Sequence, residues 1–235
     1  MKIVMKRALT LGLGTLALAG CSVLPNGSPQ RDSHDSRNTA SSSRISNSAP
    51  IVRRGAEAQC LAQLGAAGAQ FDALPDRYAD HGCSTLNTVQ MHALQGDYGR
   101  FEVGNLGPVT CPVSTAFAAW ARYGVDRAAR QVFGVPIQSI QTMGSYSCRN
   151  VAGTGRRSAH ASADAIDVGG FVLSDGTRIS VHSGWNGSSK EREFLRTVQR
   201  SACLRFGTVL GPDYNAAHRD HFHVEGVSSG SSYCR

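Results

Sequence analysis

The sequence predicts an α+β fold in which a small antiparallel sheet is flanked by helices and held by disulfide bonds. Helical and strand-like patterns are mixed along the chain, and the strand patterns lie in neighbouring pairs, which favours antiparallel pairing. Six of the seven cysteines fall within residues 52–235. This range is long enough to bury a sizeable core, so we expect a single folded domain there.

Three segments have the patterns of helices. Residues 57–74, EAQCLAQLGAAGAQFDAL, predict a helix or helical turn. Residues 114–134 have apolar side chains at helical spacing, and we expect a break near Gly124. Residues 190–207 predict an amphipathic helix that is closed by Gly207.

Three further segments have the patterns of strands. Residues 135–149, VPIQSIQTMGSYSCR, alternate between apolar and polar positions. Residues 165–181 predict a pair of strands around the turn at Asp175 and Gly176. The short segment HFHVE, residues 221–225, predicts one more strand.

The first residues resemble a lipoprotein signal peptide, which we place at residues 1–20. Lys2, Lys6 and Arg7 precede an apolar run that is too short to span a bilayer. The run ends in LAGC, which resembles a bacterial lipobox, so Cys21 is expected to be the lipidated first residue after cleavage. The alternative is an ordinary signal peptide with an incidental cysteine.

The address of the protein follows from this resemblance. Ser22 after the lipidated cysteine implies sorting to the outer membrane of a Gram-negative bacterium, with the domain in the periplasm. Residues 21–51 are rich in Ser, Asn and Arg, so we expect a disordered tether there. The net charge of +7 is basic, but an exported lipoprotein meets no nucleic acid; anionic lipid or cell-wall surfaces are the expected neighbours.

The cysteines outside the leader predict three disulfide bonds, because they are even in number and the compartment is oxidising. They are Cys60, Cys83, Cys111, Cys148, Cys203 and Cys234. Their spacing lacks the CxxC pattern of a thiolate metal site. Fifteen pairings are possible for six cysteines. Proximity in the sequence favours Cys60–Cys83, and we further expect Cys111–Cys148 and Cys203–Cys234.

The segment HRDHFHVE, residues 218–225, concentrates histidine in one place. Residues two apart on a strand point to the same face, so His221 and His223 project together while Phe222 and Val224 face the core. Two converging imidazoles suit a pair of metal ligands, or one ligand and one proton-transfer group. The alternative is a polar strand edge.

A second segment, SAHASADAID at residues 158–167, places His160 seven residues before Asp167. Asp167 lies in an otherwise apolar strand pattern, where a carboxylate is costly unless it is paired or bound to a metal. An ion pair with one of the many arginines is the alternative.

These two segments resemble the zinc peptidase superfamily that includes lysostaphin-type endopeptidases, D-Ala-D-Ala peptidases and the Hedgehog signalling domain. Its first motif is SxHxxGxAxD, which Ser158, His160, Ala165 and Asp167 match, whereas Ala163 stands where glycine is usual.

The second motif of that superfamily places a ligand histidine on a late strand, preceded by an acid or another histidine, and Asp220, His221 and His223 match it. More narrowly, the chain resembles the bacterial extensin-like C-terminal domain family over residues 58–235. The segments TCPVSTAFAAW, GSYSCR, SAHASADAIDVGGF, FLRTVQRSAC and TVLGPDYNAAHRDHFHVE carry this resemblance.

The resemblance implies a division of roles. His160, Asp167 and His223 would hold one zinc ion and leave a fourth position open. Asp220 would transfer the proton of the attacking water, and His221 would orient that water or stabilise the oxyanion. His221 as the main base is the alternative.

Two more residues are expected to contact substrate. Arg149 follows the strand GSYSC, where D-Ala-D-Ala peptidases place an arginine that binds a carbonyl or carboxylate group. His218 stands where some relatives carry another histidine of the active site. The alternatives are a surface arginine and an exposed loop histidine.

The function implied is zinc-dependent hydrolysis of peptidoglycan peptide bonds, of the endopeptidase or carboxypeptidase type, by a monomer anchored through its lipid. A degenerate lipoprotein that binds zinc or the cell wall without cutting is the first alternative. A disulfide-rich structural lipoprotein without a metal is the second.

Overall fold

The structure is a computed structural model, and it describes residues 51–235, which belong to one compact unit. The predicted signal peptide, the lipidated Cys21 and the tether before residue 51 lie outside the described residues. Within residues 51–235, no helix has both the length and the apolar character that crossing a membrane requires.

Five α-helices are present in the described part of the chain. They are α1 (Gly55–Ala66), α2 (Cys111–Trp120), α3 (Arg127–Phe133), α4 (Val181–Gly184) and α5 (Ser189–Cys203). The predicted first helix is shorter than expected, because Gly68 turns the chain with φ of 80° and the next residues form a strand. Helix α5 begins with a capping box in which Ser188 and Glu191 satisfy each other's backbone N–H groups.

The expected break in the second helical segment is a turn of π-helix at Ala121–Asp126, between α2 and α3. Gly124 lies within it, and a side chain there would collide with Ser201 of α5. Trp120 at the end of α2 donates a hydrogen bond from Nε1 to the carbonyl oxygen of Val198, 3.0 Å away. The absence of a side chain at Gly124 therefore lets the π-helical turn pack closely against α5.

Twelve strands are present in the same described residues. They are β1 (Gln70–Ala73), β2 (Arg77–Ala79), β3 (Cys83–Thr85), β4 (Thr88–Gln95), β5 (Arg100–Gly104), β6 (Val109–Thr110), β7 (Ile137–Gly144), β8 (Ala165–Leu173), β9 (Arg178–Ser180), β10 (Thr208–Leu210), β11 (Phe222–Glu225) and β12 (Tyr233–Cys234).

Ten of these strands form one sheet with the order β1-β4-β5-β7-β8-β11-β10-β12, to which β6 adds beside β4 and β9 beside β8. Strands β2 and β3 form a separate hairpin-like pair. The α+β class is confirmed, but the sheet is larger than predicted, and it is mostly rather than wholly antiparallel.

The sheet is mixed because β5 pairs with β7 in parallel, as β10 does with β12. A parallel pair needs a long crossover connection, and the helical segment from α2 to α3 supplies it between β5 and β7. Several strands of this sheet are only two to five residues long, too short for alternation to identify them in the sequence.

Three disulfide bonds are present, and they use all six predicted cysteines. The bonds are Cys60–Cys111, Cys83–Cys148 and Cys203–Cys234. Only the last pairing was predicted correctly. The pairing Cys60–Cys83, which proximity in the sequence favoured, and the pairing Cys111–Cys148 are both wrong. The helix α1 packs beside α2, and β3 lies next to the loop that follows β7.

Candidate metal centre

Three separate elements bring His160, Asp167 and His223 together. His160 lies in the 3₁₀ turn Ala159–Ser162, where the side chain of Ser158 accepts a hydrogen bond from the backbone N–H of His160. Asp167 lies on β8, and His223 is its direct partner on the antiparallel strand β11. Phe222 on β11 is fully buried on the opposite face, as the alternation of the strand requires.

The three side chains converge on one point. Nε2 of His160 lies 3.2 Å from Oδ2 of Asp167 and 3.2 Å from Nδ1 of His223. Nδ1 of His223 lies 2.9 Å from Oδ1 of Asp167. One ligand atom from each residue falls within 4.8 Å of the others, so the three could hold a single cation. The sequence predicted this same set.

Further contacts fix which ring nitrogens face this point. Nδ1 of His160 lies 2.9 Å from the carbonyl oxygen of Ser145, to which it donates, and its Nε2 is left for a ligand bond. Nε2 of His223 lies 2.9 Å from Oε2 of Glu225, so Nδ1 of His223 is the nitrogen that faces Asp167 and His160. Such outer partners are typical of histidines that bind metals.

Glu225 is a site residue that the sequence analysis missed. It follows His223 by two positions on β11, so both side chains project from the same face of the strand. This spacing could have identified Glu225 in the sequence, because His221 and His223, which were identified, are also two positions apart.

The charges at the centre suit a cation. Burial opposes ionisation of Asp167, but hydrogen bonds with His160 and His223 outweigh it and lower the pKa of Asp167 well below its usual value. Burial likewise opposes protonation of His223, but Asp167 and Glu225 raise its pKa to about 9, so the two carboxylates favour a positive charge here, and a metal ion would have to displace the proton of this ring. Two imidazoles and one ionised carboxylate are a donor set that zinc favours.

His221 and Asp220 form a pair beside this centre. Nε2 of His221 faces the centre, 3.6 Å from Oδ1 of Asp167. Its other nitrogen, Nδ1, lies 2.9 Å from Oδ1 of Asp220. Asp220 therefore contacts the ring of His221 on the side away from Asp167.

A cavity of about 550 Å³ opens onto the centre, and Asp167, His221 and His223 line it. Both predicted substrate-binding residues, Arg149 and His218, also lie on its wall. Burial lowers the pKa of His218 to about 4, and the neighbouring rings of His221 and His223 add to this effect. Nδ1 of His218 lies 2.7 Å from Oδ1 of Asn215, which orients the ring.

Ala163, which stands where the superfamily motif has glycine, adopts φ of 56° and is fully buried. This left-handed conformation is the one that glycine adopts without strain. A left-handed turn at this position would give the motif's preference for glycine a conformational reason, and in this chain an alanine occupies the turn.

The fold and the site define a disulfide-bonded α+β domain with a candidate metal centre beside a histidine–aspartate pair. The family model described as "Extensin-like protein C-terminus" matches residues 58–235, so the chain belongs to the extensin-like C-terminal family. This confirms the narrower resemblance found in the sequence. No curated protein and no solved structure matches the chain significantly.

Proposed function

We propose that this chain is a zinc-dependent hydrolase that cleaves peptide bonds in peptidoglycan. The observation that carries the proposal is the convergence of His160, Asp167 and His223 beside His221, on the wall of an open cavity. The wider resemblance to lysostaphin-type and D-Ala-D-Ala peptidases supplies the class of reaction.

The residues at the centre fit zinc. Their oriented nitrogens and ionised carboxylate provide three ligands, and a catalytic zinc site with three protein ligands keeps one position open. When bound there, zinc would polarise a substrate carbonyl group and lower the pKa of a water molecule to about 7.

His221 is the residue best placed to move protons in this proposal. Its Nε2 faces the centre, so it can accept a proton from the attacking water and return it to the leaving amine. Asp220 accepts a hydrogen bond from Nδ1–H of the same ring, holds its orientation and stabilises the imidazolium ion that forms. This favours His221 as the main base, with Asp220 in a positioning role.

The proposed substrate follows from the address together with the chemistry. A peptidase tethered at the periplasmic face of the outer membrane meets peptidoglycan, whose peptides offer cross-links and terminal D-amino acids. Mass spectrometry of the mature N-terminus tests the address. Lipid on Cys21 supports it, and cleavage elsewhere, or an unmodified Cys21, contradicts it.

Digestion of purified sacculi by residues 51–235 tests the activity. We expect soluble muropeptides to be released, and we expect chelation to stop the release and added zinc to restore it. The variant His223→Ala should release no muropeptides. Its matched control is His92→Ala, because His92 is an exposed histidine paired with Asp72 on another part of the sheet. Zinc binding without any release would instead favour the alternative of a non-catalytic lipoprotein that binds zinc or the cell wall.

A further inference from the structure

The loop that follows Cys148 folds back on itself as a short hairpin, residues 149–158. The backbone N–H of Ser158 donates to the carbonyl oxygen of Arg149 at 3.2 Å, and that of Val151 donates to Arg156 at 2.9 Å. Asn150 and Arg157 face each other across the hairpin as an isolated antiparallel bridge. We call this segment the arginine hairpin.

The two faces of the arginine hairpin have different partners. Arg149, Val151, Arg156 and Ser158 all line the cavity at the candidate metal centre. Arg157 lies between two of them in the sequence, and it is absent from the residues that line this cavity.

Arg157 is bound to the rest of the fold. Its Nε donates to the carbonyl oxygen of His81 at 2.7 Å, and its NH1 group donates to Oδ1 of Asn150 at 2.8 Å. The Cys83–Cys148 disulfide bond holds the chain immediately before the hairpin. The arginine hairpin is therefore fixed at its base and along its outer face.

The two arginines on the cavity side have no direct partner among the described residues, although Arg156 is near enough to Glu225 to affect it. The hydrogen bond with His223 chiefly lowers the pKa of the Glu225 carboxyl, and Arg156 adds to this lowering. Within residues 51–235, neither Arg149 nor Arg156 forms an ion pair or donates a side-chain hydrogen bond. Other arginines of the domain are paired, as Arg53 is with Asp76 and Arg127 with Asp97. Two unpaired guanidinium groups on one wall of a cavity are a suitable binding site for an anion, because each offers several fixed N–H donors.

We propose that Arg156 joins Arg149 in a carboxylate-binding subsite, and that the substrate is a peptide carrying a carboxylate group that these two arginines bind. This rests on the proposed hydrolase function and narrows its substrate to acidic peptides. The resemblance pointed to Arg149 alone; Arg156 is assigned by its place on the hairpin. The planar fork of a guanidinium group matches a carboxylate in two parallel hydrogen bonds.

Binding of an uncleaved ligand separates this inference from the proposed activity. The probes are a peptidoglycan stem pentapeptide with free carboxylate groups and the same peptide with those groups converted to amides. Calorimetric titrations of the zinc-loaded His221→Ala protein, which binds without turnover, give the two dissociation constants. Low ionic strength is used because salt screens exposed charges.

The acid peptide is expected to bind at least about tenfold more tightly than the amide, since hydrogen bonds between charged groups are strong. Adding Arg156→Gln should reduce that preference, and Arg149→Gln should reduce it further. Arg178→Gln is the matched control: Arg178 is an exposed arginine on β9, and its loss changes the net charge equally. The control should leave the preference intact.

Equal binding of acid and amide would overturn the subsite, as would an unchanged preference after Arg156→Gln. Tighter binding of inorganic phosphate than of the acid peptide would overturn the choice of carboxylate. A preference for the acid peptide without any hydrolysis by the parent protein would leave the subsite standing and remove the proposed function.

Discussion

His223 and Asp167 face each other across the antiparallel strands β11 and β8, and their side chains meet with Nδ1 2.9 Å from Oδ1. The register of the sheet thus sets one histidine against one carboxylate, and the turn at His160 supplies the third group.

Removal of any predicted ligand should remove the metal. His160→Ala, Asp167→Ala and His223→Ala each leave two protein ligands, which are too few to retain zinc in competition with a weak chelator. The measurement is zinc per protein chain after dialysis. The control His92→Ala should keep zinc at the parent level. If one of the three ligand variants also kept zinc at that level, its residue would not be a ligand.

His221→Ala should keep zinc and lose most of the activity. A general acid–base group contributes about 10²–10⁴ in rate, so kcat should fall by roughly that factor while KM changes little. Asp220→Asn should lower kcat less and change its dependence on pH, because Asp220 acts through the ring of His221. If Asp220→Asn proved more damaging than His221→Ala, Asp220 itself would be the main base.

Glu225→Gln tests the outer contact of His223. The amide keeps the shape of the side chain and loses the charge that accepts the hydrogen bond from Nε2 of His223. Loss of such an outer partner typically weakens metal binding by about 10–100-fold. Competition with a fluorescent chelator gives the zinc affinity, and Glu102→Gln, a change on the exposed face of β5, is the control. Equal affinities of the two variants would deny Glu225 this role.

Asp97 should make the stability of the domain depend on pH in the acid range. Hydrogen bonds from Arg127 and Arg122 lower the pKa of Asp97 from 3.8 to about 2. Because the folded state has the lower pKa, the carboxylate stabilises the fold above a pH of about 4, and this contribution is lost as the pH falls toward 2.

The measurement for Asp97 is the melting temperature of the parent and of Asp97→Asn across this pH range. The variant should melt lower at pH 7, and the difference should shrink below pH 4 and disappear as the pH falls through about 2. Asp72→Asn, which removes an exposed carboxylate paired with His92, is the comparison. A difference between Asp97→Asn and the parent that stayed constant with pH would contradict the ion-pair interpretation.

The sequence predicted the inner site better than its surroundings. His160, Asp167 and His223 were named through the resemblance, and the structure brings them together because the motif spacing matches a local turn and the alternation of a strand. The role proposed for Arg156 could not be predicted from the sequence, because it depends on which face of an irregular hairpin meets the cavity. Glu225 follows from alternation alone and was overlooked.

The sheet and the disulfide bonds show the same limit. Pairing between β5 and β7, or between Cys60 and Cys111, joins segments far apart in the sequence, and local patterns hold no information on such contacts. The Cys203–Cys234 bond, with the shortest separation of the three, is the one predicted pairing that the structure contains. The other two disulfide bonds depend on how distant segments of the chain pack together.

Seen as polymer cross-links, the three disulfide bonds close loops of 51, 65 and 31 residues. A cation held by both His160 and His223 would close another, of 63 residues. It would differ from the others in being reversible, since its population depends on the free concentration of the cation. The melting temperature of the domain would then report the supply of zinc in its surroundings, with no need for turnover.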